Sequence, residues 1–234
     1  MISFKDKINQ VGLQAKEASK ILAKVSTKQK NEAILAMADH ILKDKKLILK
    51  ENKKDLDQAK VKGLSESFTD RLELDDERII SIATTLGEIE SFKDPVGKVL
   101  DSWTRPNGLS ISRVSTPLGT IGVIYESRPN VTADAGALCL KSGNASVLRG
   151  GSDSIHSCIA IHKSMIKGLN DADITENAIQ IIEDTNRDAV NMMLQGINKT
   201  IDVIVPRGGK NLVAQIEKEA KVPVFAHLEG ICHI

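Results

Sequence analysis

The chain has 234 residues, of which 41% are hydrophobic, 27% charged and only 3% aromatic, a composition that suits one large domain or two small ones around an aliphatic core. Its 32 Lys and Arg nearly balance 31 Asp and Glu, which leaves no electrostatic case for binding nucleic acid or an anionic membrane. Charged residues follow Met1 at once without an apolar leader core, no apolar run is long enough to span a membrane, and three widely spaced cysteines (Cys139, Cys158, Cys232) fit neither a disulfide framework nor a zinc site. The expected setting is therefore a reducing cytoplasm, without metal.

From Phe4 to about Ala59 the apolar spacing predicts helices. One stripe runs Ile8, Val11, Ala15, Ala18, Ile21, Leu22 and Val25; a second runs Ala33, Leu35, Met37, Ile41 and Leu42; a third includes Leu47, Ile48, Leu56 and Ala59. The lysines from Lys43 to Lys54 are interleaved with acids and read as a solvated face. Asp75 to Phe92 is a further amphipathic helix, closed by Asp94-Pro95. After Pro95, glycines cut the chain into short pieces. Leu109–Val114 alternates as a hairpin strand would, and Thr120–Tyr125 reads as a buried strand. A helix follows over Thr132–Ser142, with Asp134 in its first turn, Lys141 in its last and Gly143 just beyond. Then come strand Ala145–Leu148, helix Asp153–Lys167, strand Ala178–Ile182, helix Arg187–Leu194, strand Ile201–Val205, helix Lys210–Ala220 and strand Val222–Ala226. This alternation predicts an α/β fold with a parallel, doubly wound sheet.

Two strand ends echo each other. Val147-Leu148-Arg149-Gly150-Gly151 and Val205-Pro206-Arg207-Gly208-Gly209 each end a strand and precede a helix. Paired glycines let backbone amides approach an anion, the helix N-terminus adds positive partial charge, and an arginine suits a phosphate, including a ribose 2′-phosphate. Tight turn formation alone would also account for the glycines. Tyr125-Glu126-Ser127-Arg128-Pro129-Asn130-Val131-Thr132 joins a buried strand to a helix. There Arg128 and Asn130 could hold an anion or a developing oxyanion, or Asn130 or Thr132 could cap the helix. Cys232 and His233 are adjacent, so along a strand they point to opposite faces and do not pair. Cys139 and Cys158 lie on apolar helix stripes and read as core. His156 and His162 are six apart and share no helix face, and His40 and His227 stand alone.

The run PLGTIGVIYESRPNVTADAGALCLKSGNASVLRGGSDS, with DSWTRPNGLSISRV before it, VIVPRGGKNLV after it and EGICHI at the end, resembles γ-glutamyl phosphate reductase, also called glutamate-5-semialdehyde dehydrogenase. The resemblance implies an aldehyde-dehydrogenase-like fold. Residues 1–104 would be N-terminal helices of the cofactor domain, 105–118 a hairpin strand of the oligomerisation arm and 119–234 a Rossmann-like NADPH-binding domain, with the catalytic domain lying outside. It implies NADPH-dependent reduction of L-glutamate 5-phosphate to the semialdehyde with release of phosphate, the second step of proline biosynthesis. Arg149, Gly150, Gly151 and Ser152 match the segment that holds the cofactor's adenosine ribose and its phosphate. Arg207, Gly208 and Gly209 match the turn under the pyrophosphate. Asn130 matches an oxyanion-binding asparagine, although Ser-Arg-Pro-Asn replaces the usual Pro-Trp-Asn, and Arg128 is assigned to the substrate's phosphate or carboxylate by its charge.

The family's nucleophilic cysteine belongs to a YPxACNxxETLL-like segment beyond the strand that GICHI begins, so Cys232 does not match it. The chain is therefore expected to be a fragment without its acceptor cysteine, inactive alone, with a non-catalytic nucleotide-binding module as the alternative. A homo-oligomer and channelling from glutamate 5-kinase are implied for the full-length protein.

Overall fold

The computed structural model describes residues 3–226. Five helices open the chain: α1 (Phe4–Leu22), α2 (Thr27–Lys43), α3 (Lys45–Val61), α4 (Glu66–Leu72) and α5 (Asp76–Ser91). Their starts are written in the sequence. Ser3, Ser26 and Asp75 each accept a hydrogen bond from the amide three residues on, satisfying a donor that the first helical turn leaves open. Strands β1 (Val99–Thr104) and β2 (Ser110–Val114) form an antiparallel hairpin. The remainder alternates: β3 (Thr120–Tyr125), α6 (Val131–Lys141), β4 (Ala145–Arg149), α7 (Ile155–Asp171), β5 (Ile179–Ile181), α8 (Arg187–Leu194), β6 (Val203–Arg207) and α9 (Lys210–Glu219).

Strands β3 to β6 make one parallel sheet in the order β5-β4-β3-β6. All six residues of β3 are buried, as a central strand covered on both faces requires. The chain leaves β3 toward β4 and β5, then crosses back to place β6 on the other side. The winding therefore reverses between β3 and β6, where open α/β sheets leave a crevice beyond their carboxyl ends.

The N-terminal helices pack against this unit. A Cβ at Gly168 would lie 2.5 Å from the Met37 backbone nitrogen, so α7 meets α2 backbone to backbone. Lys30 of α2, 1% exposed, pairs with Asp94 at 2.6 Å and donates to the carbonyl of Lys141 in α6. Thr27 donates to the same carboxylate. Burial alone would raise the Asp94 carboxyl, but the hydrogen bonds from Lys30, Thr27 and the Val96 amide outweigh it and hold the group below its ordinary value. At the amino edge of the sheet, Lys16 of α1 binds Asp202, which also accepts from the Thr120 amide.

Between α8 and β6 the backbone is left-handed at four successive residues, Gly196, Ile197, Asn198 and Lys199, with φ of 83°, 40°, 54° and 65°. Left-handed residues are normally single, and a β-branched one is an outlier. Contacts with α1 hold this turn. Ile197 is 2% exposed and packs over Gly12, while Asn198 donates to Asn9.

Four details depart from the sequence expectations. Helix α4 was not anticipated; it has seven residues and one buried side chain, Leu72, too few to show a period. Strand β1 falls between the last expected N-terminal helix and the expected hairpin strand, where no element was expected. All its residues are exposed, so it has no buried face to alternate and is defined by backbone pairing with β2. A 3₁₀ turn over Ser152–Ser154 precedes α7, which runs four residues past the expected end. The expected strand Val222–Ala226 is reduced to one bridge between Ile204 and Val224.

Candidate active-site crevice

Three loops meet at the carboxyl edge of the sheet: Glu126–Asn130 after β3, Gly150–Ser152 after β4, and Gly208–Gly209 after β6. The first two touch through glycine. A Cβ at Gly151 would lie 3.2 Å from the Ser127 amide nitrogen, and one at Gly150 would press on Tyr125 and Cys158, 3.1 Å from the Tyr125 ring. Tyr125 is itself 1% exposed, and its hydroxyl bonds Thr132 at 2.8 Å. Thr132 thus anchors α6 to the sheet from inside the first turn. Asn130 stands at the cap position without a capping bond, and its amide donates to Asp134 at 2.9 Å. Burial raises the Asp134 carboxyl above its ordinary value, partly offset by that hydrogen bond.

The two Arg-Gly-Gly turns, alike in sequence, differ in space. Arg149 is 8% exposed and turns inward. It donates to the carbonyl of Gly150 and, at 2.9 Å, to that of Thr185, tying the turn after β4 to the loop after β5. Its buried Nε has no hydrogen-bond partner. Arg207 is exposed, and Ser152 is exposed at the start of its 3₁₀ turn. The Glu126 carboxylate accepts from the Gly209 amide at 2.8 Å, and the Glu126 amide donates to the Arg207 carbonyl. An anionic oxygen thus already sits at the start of α9, where the helix end is electropositive.

Two clefts open here. The smaller, about 140 Å³, lies between the loop after β3 and the turn after β6 and is lined by Phe68, Arg71, Glu126, Arg128, Arg207 and Gly209 among others. The larger, about 460 Å³, runs along α4 and α5 past Arg78, Arg128, Asn130 and Asp134. Arg71 and Arg128 line both. The crevice therefore brings together Arg128, Asn130, Arg207, Gly208 and Gly209, with Arg149, Gly150, Gly151 and Ser152 along the adjoining edge. Sequence reasoning left out Glu126, which lay unassigned within the quoted segment, and Arg71, which had no signal because its helix had none.

Neither described cysteine suits nucleophilic work. Burial pushes the Cys139 thiol up to about 12 and raises that of Cys158 as well. Cys232, His227 and His233 lie outside the described residues. His40 bonds Asp171, His156 lies 3.3 Å from Gln58, and His162 bonds the Ile179 carbonyl, where burial lowers its pKa. Among the described residues no group of three or more His, Cys, Asp or Glu is arranged to hold a metal ion. No described helix is long and apolar enough to cross a membrane.

The fold is shared with a probable aldehyde dehydrogenase from Listeria monocytogenes, on which the structure superposes with a TM-score of 0.72 at 15% identity, over 94% of this chain and 45% of that one. The fold is thus aldehyde-dehydrogenase-like. A γ-glutamyl phosphate reductase from Thermotoga maritima superposes with a TM-score of 0.91 at 40% identity, covering 94% of this chain and 53% of that one. In sequence the chain is 58% identical over 225 residues to the γ-glutamyl phosphate reductase of Brucella anthropi, covering 96% of this chain and 53% of that protein. No protein-family model matches. Over nearly its whole length the chain is thus similar in sequence and fold to γ-glutamyl phosphate reductases, and it spans about half the length of the curated relatives it matches.

Proposed function

We propose that these residues form the cofactor-binding half of an NADPH-dependent enzyme that reduces L-glutamate 5-phosphate to L-glutamate 5-semialdehyde and releases phosphate, in proline biosynthesis. One observation carries this reading: the glycine turn opening α9 donates its Gly209 amide to a carboxylate oxygen at the β3/β6 reversal, beside Arg128 and Arg207. The relatives' printed names supply the substrate class.

The residues present fit a phosphorylated dinucleotide. Gly208 and Gly209 would present backbone to the pyrophosphate, with the exposed Arg207 beside them, and Gly150, Gly151 and Ser152 would border the adenosine ribose. Arg149 braces that edge, and its unpartnered Nε is the donor left for a 2′-phosphate. NADPH supplies a hydride when bound. Asn130, one amide hydrogen held by Asp134, directs the other toward the carbonyl oxygen on which negative charge develops. Arg128 meets the substrate's anionic end. Neither Cys139 nor Cys158 is suited to accept the acyl group, since burial raises both thiols. The exposed Val99, Leu100 and Trp103 of the hairpin suit an oligomerisation arm, and glutamate 5-kinase is a channelling partner for the whole enzyme. The unpaired, buried cysteines fit a reducing cytoplasm.

Titration of the purified chain with NADPH and NADH, followed by nicotinamide fluorescence, tests the reading. Tighter binding of NADPH, without glutamyl phosphate reduction, is expected. Failure to bind either nucleotide, or equal affinity for both, would count against it.

A further inference from the structure

The smaller cleft holds three arginines from three different elements, Arg71 on α4, Arg128 after β3 and Arg207 at the end of β6, against one carboxylate, Glu126, whose oxygen is taken by Gly209. The nearby acids Asp70, Glu73 and Asp134 line the larger cleft, which Arg71 and Arg128 also border. Two are engaged there: Asp70 by Arg78 at 2.6 Å, and Asp134 by Asn130.

Arg71 is presented by a rigid wall. Leu72 beside it is wholly buried, and the buried Asn52 clamps the chain on either side, donating to the Leu72 carbonyl and accepting from the Leu74 amide. Arg78 staples the same bend by donating to the carbonyls of Asp70 and Glu73. Arg71 itself is exposed, and its only hydrogen bond among the described residues goes to Ser67, one turn back on its own short helix. The Arg128 side chain has no hydrogen bond or ion pair among the described residues. Two guanidinium groups without carboxylate partners, lining both clefts at their junction, form a binding arrangement for a tetrahedral dianion, which takes paired N–H donors in fork geometry.

We propose that Arg71 and Arg128 form a clamp for the phosphate group of the substrate and for the inorganic phosphate it releases, separate from the dinucleotide's pyrophosphate at Gly209. The assignment of that phosphate to a substrate rests on the function proposed above. The clamp places the departing group at the mouth of the smaller cleft and leaves the larger one for the amino-acid portion.

Inorganic phosphate is the probe. It is titrated calorimetrically into the 234-residue chain at constant ionic strength, with and without saturating NADPH. Arg71→Met and Arg128→Met should each weaken phosphate binding by about tenfold, and Arg71→Lys by less, because an ammonium keeps the charge but not the fork. Arg113→Met, on the outlying hairpin, should change nothing, and NADPH affinity of Arg71→Met should stay within about twofold of the parent. Unchanged phosphate affinity in Arg71→Met would overturn the clamp. So would mutual exclusion of phosphate and NADPH, because the arginines would then serve the cofactor. If NADPH does not bind while phosphate binding still depends on Arg71, the clamp stands and the cofactor assignment fails. Circular dichroism of each variant separates lost binding from lost folding.

Discussion

The Glu126 carboxylate accepts a hydrogen bond from the Gly209 amide at 2.8 Å, so the first turn of α9 faces an anion from its own chain. A dinucleotide pyrophosphate entering there has to displace that carboxylate and tolerate its charge. Glu126→Ala should therefore bind NADPH more tightly, by about fivefold, while the nucleotide-free protein loses roughly 1 kcal/mol of a helix-end interaction. Nicotinamide fluorescence titration and urea unfolding read the two effects. Weaker NADPH binding would mean that Glu126 contacts the cofactor.

Arg149 couples two turns at the edge proposed for the cofactor. Arg149→Ala removes its bonds to the Gly150 and Thr185 carbonyls, so it should cost about 1.5–3 kcal/mol of stability, the range for hydrogen bonds from charged groups. It should also weaken NADPH more than NADH. A variant that melts with the parent would show that the brace contributes nothing.

Much of this architecture was legible. Strand β3 announced itself because all six residues are buried, and α8 falls on the expected residues because caps and apolar spacing agree. What escaped was whatever lacks a buried pattern: β1 with every residue in solvent, and α4 held by Leu72 alone. The Arg-Gly-Gly echo placed both turns at the carboxyl edge of the sheet but could not distinguish its members. Arg149 is on an inner strand with the Thr185 carbonyl in reach, whereas Arg207 ends a strand at a cleft. That difference arises from sheet order, which local sequence does not carry.

The Lys30–Asp94 pair makes stability depend on pH. Asp94 is held below its ordinary value in the folded chain, so its contribution is complete above the unfolded carboxylate range, near pH 4, and is lost as pH falls through the depressed native value. Asp94→Asn leaves Lys30 buried without its counter-charge and should cost roughly 3–5 kcal/mol at neutral pH. The gap between parent and variant in urea should narrow as pH drops below that range. A gap independent of pH would show that the ion pair is not its source.

Lys199 occupies the last position of the left-handed turn, exposed and with no side-chain bond among the described residues. A left-handed conformation costs an L-residue about 1–2 kcal/mol, and glycine returns most of that for an entropic cost of roughly 0.5–1 kcal/mol. Lys199→Gly should therefore raise the unfolding free energy by up to about 1 kcal/mol, measurable as a higher urea midpoint. A lower midpoint would mean that the lysine makes a stabilising interaction in solution.

The chain has one tryptophan and one tyrosine, and the fold separates them. Trp103 is on the hairpin, 42% exposed, while Tyr125 closes the base of the crevice at 1%. Indole emission is therefore a private channel to the hairpin: a blue shift records that surface being covered, and loss of the core leaves it comparatively quiet. The phenol, whose pKa burial raises well above the ordinary value, reports the opposite end. Its ultraviolet titration stays silent in alkali until the sheet beneath the crevice comes apart.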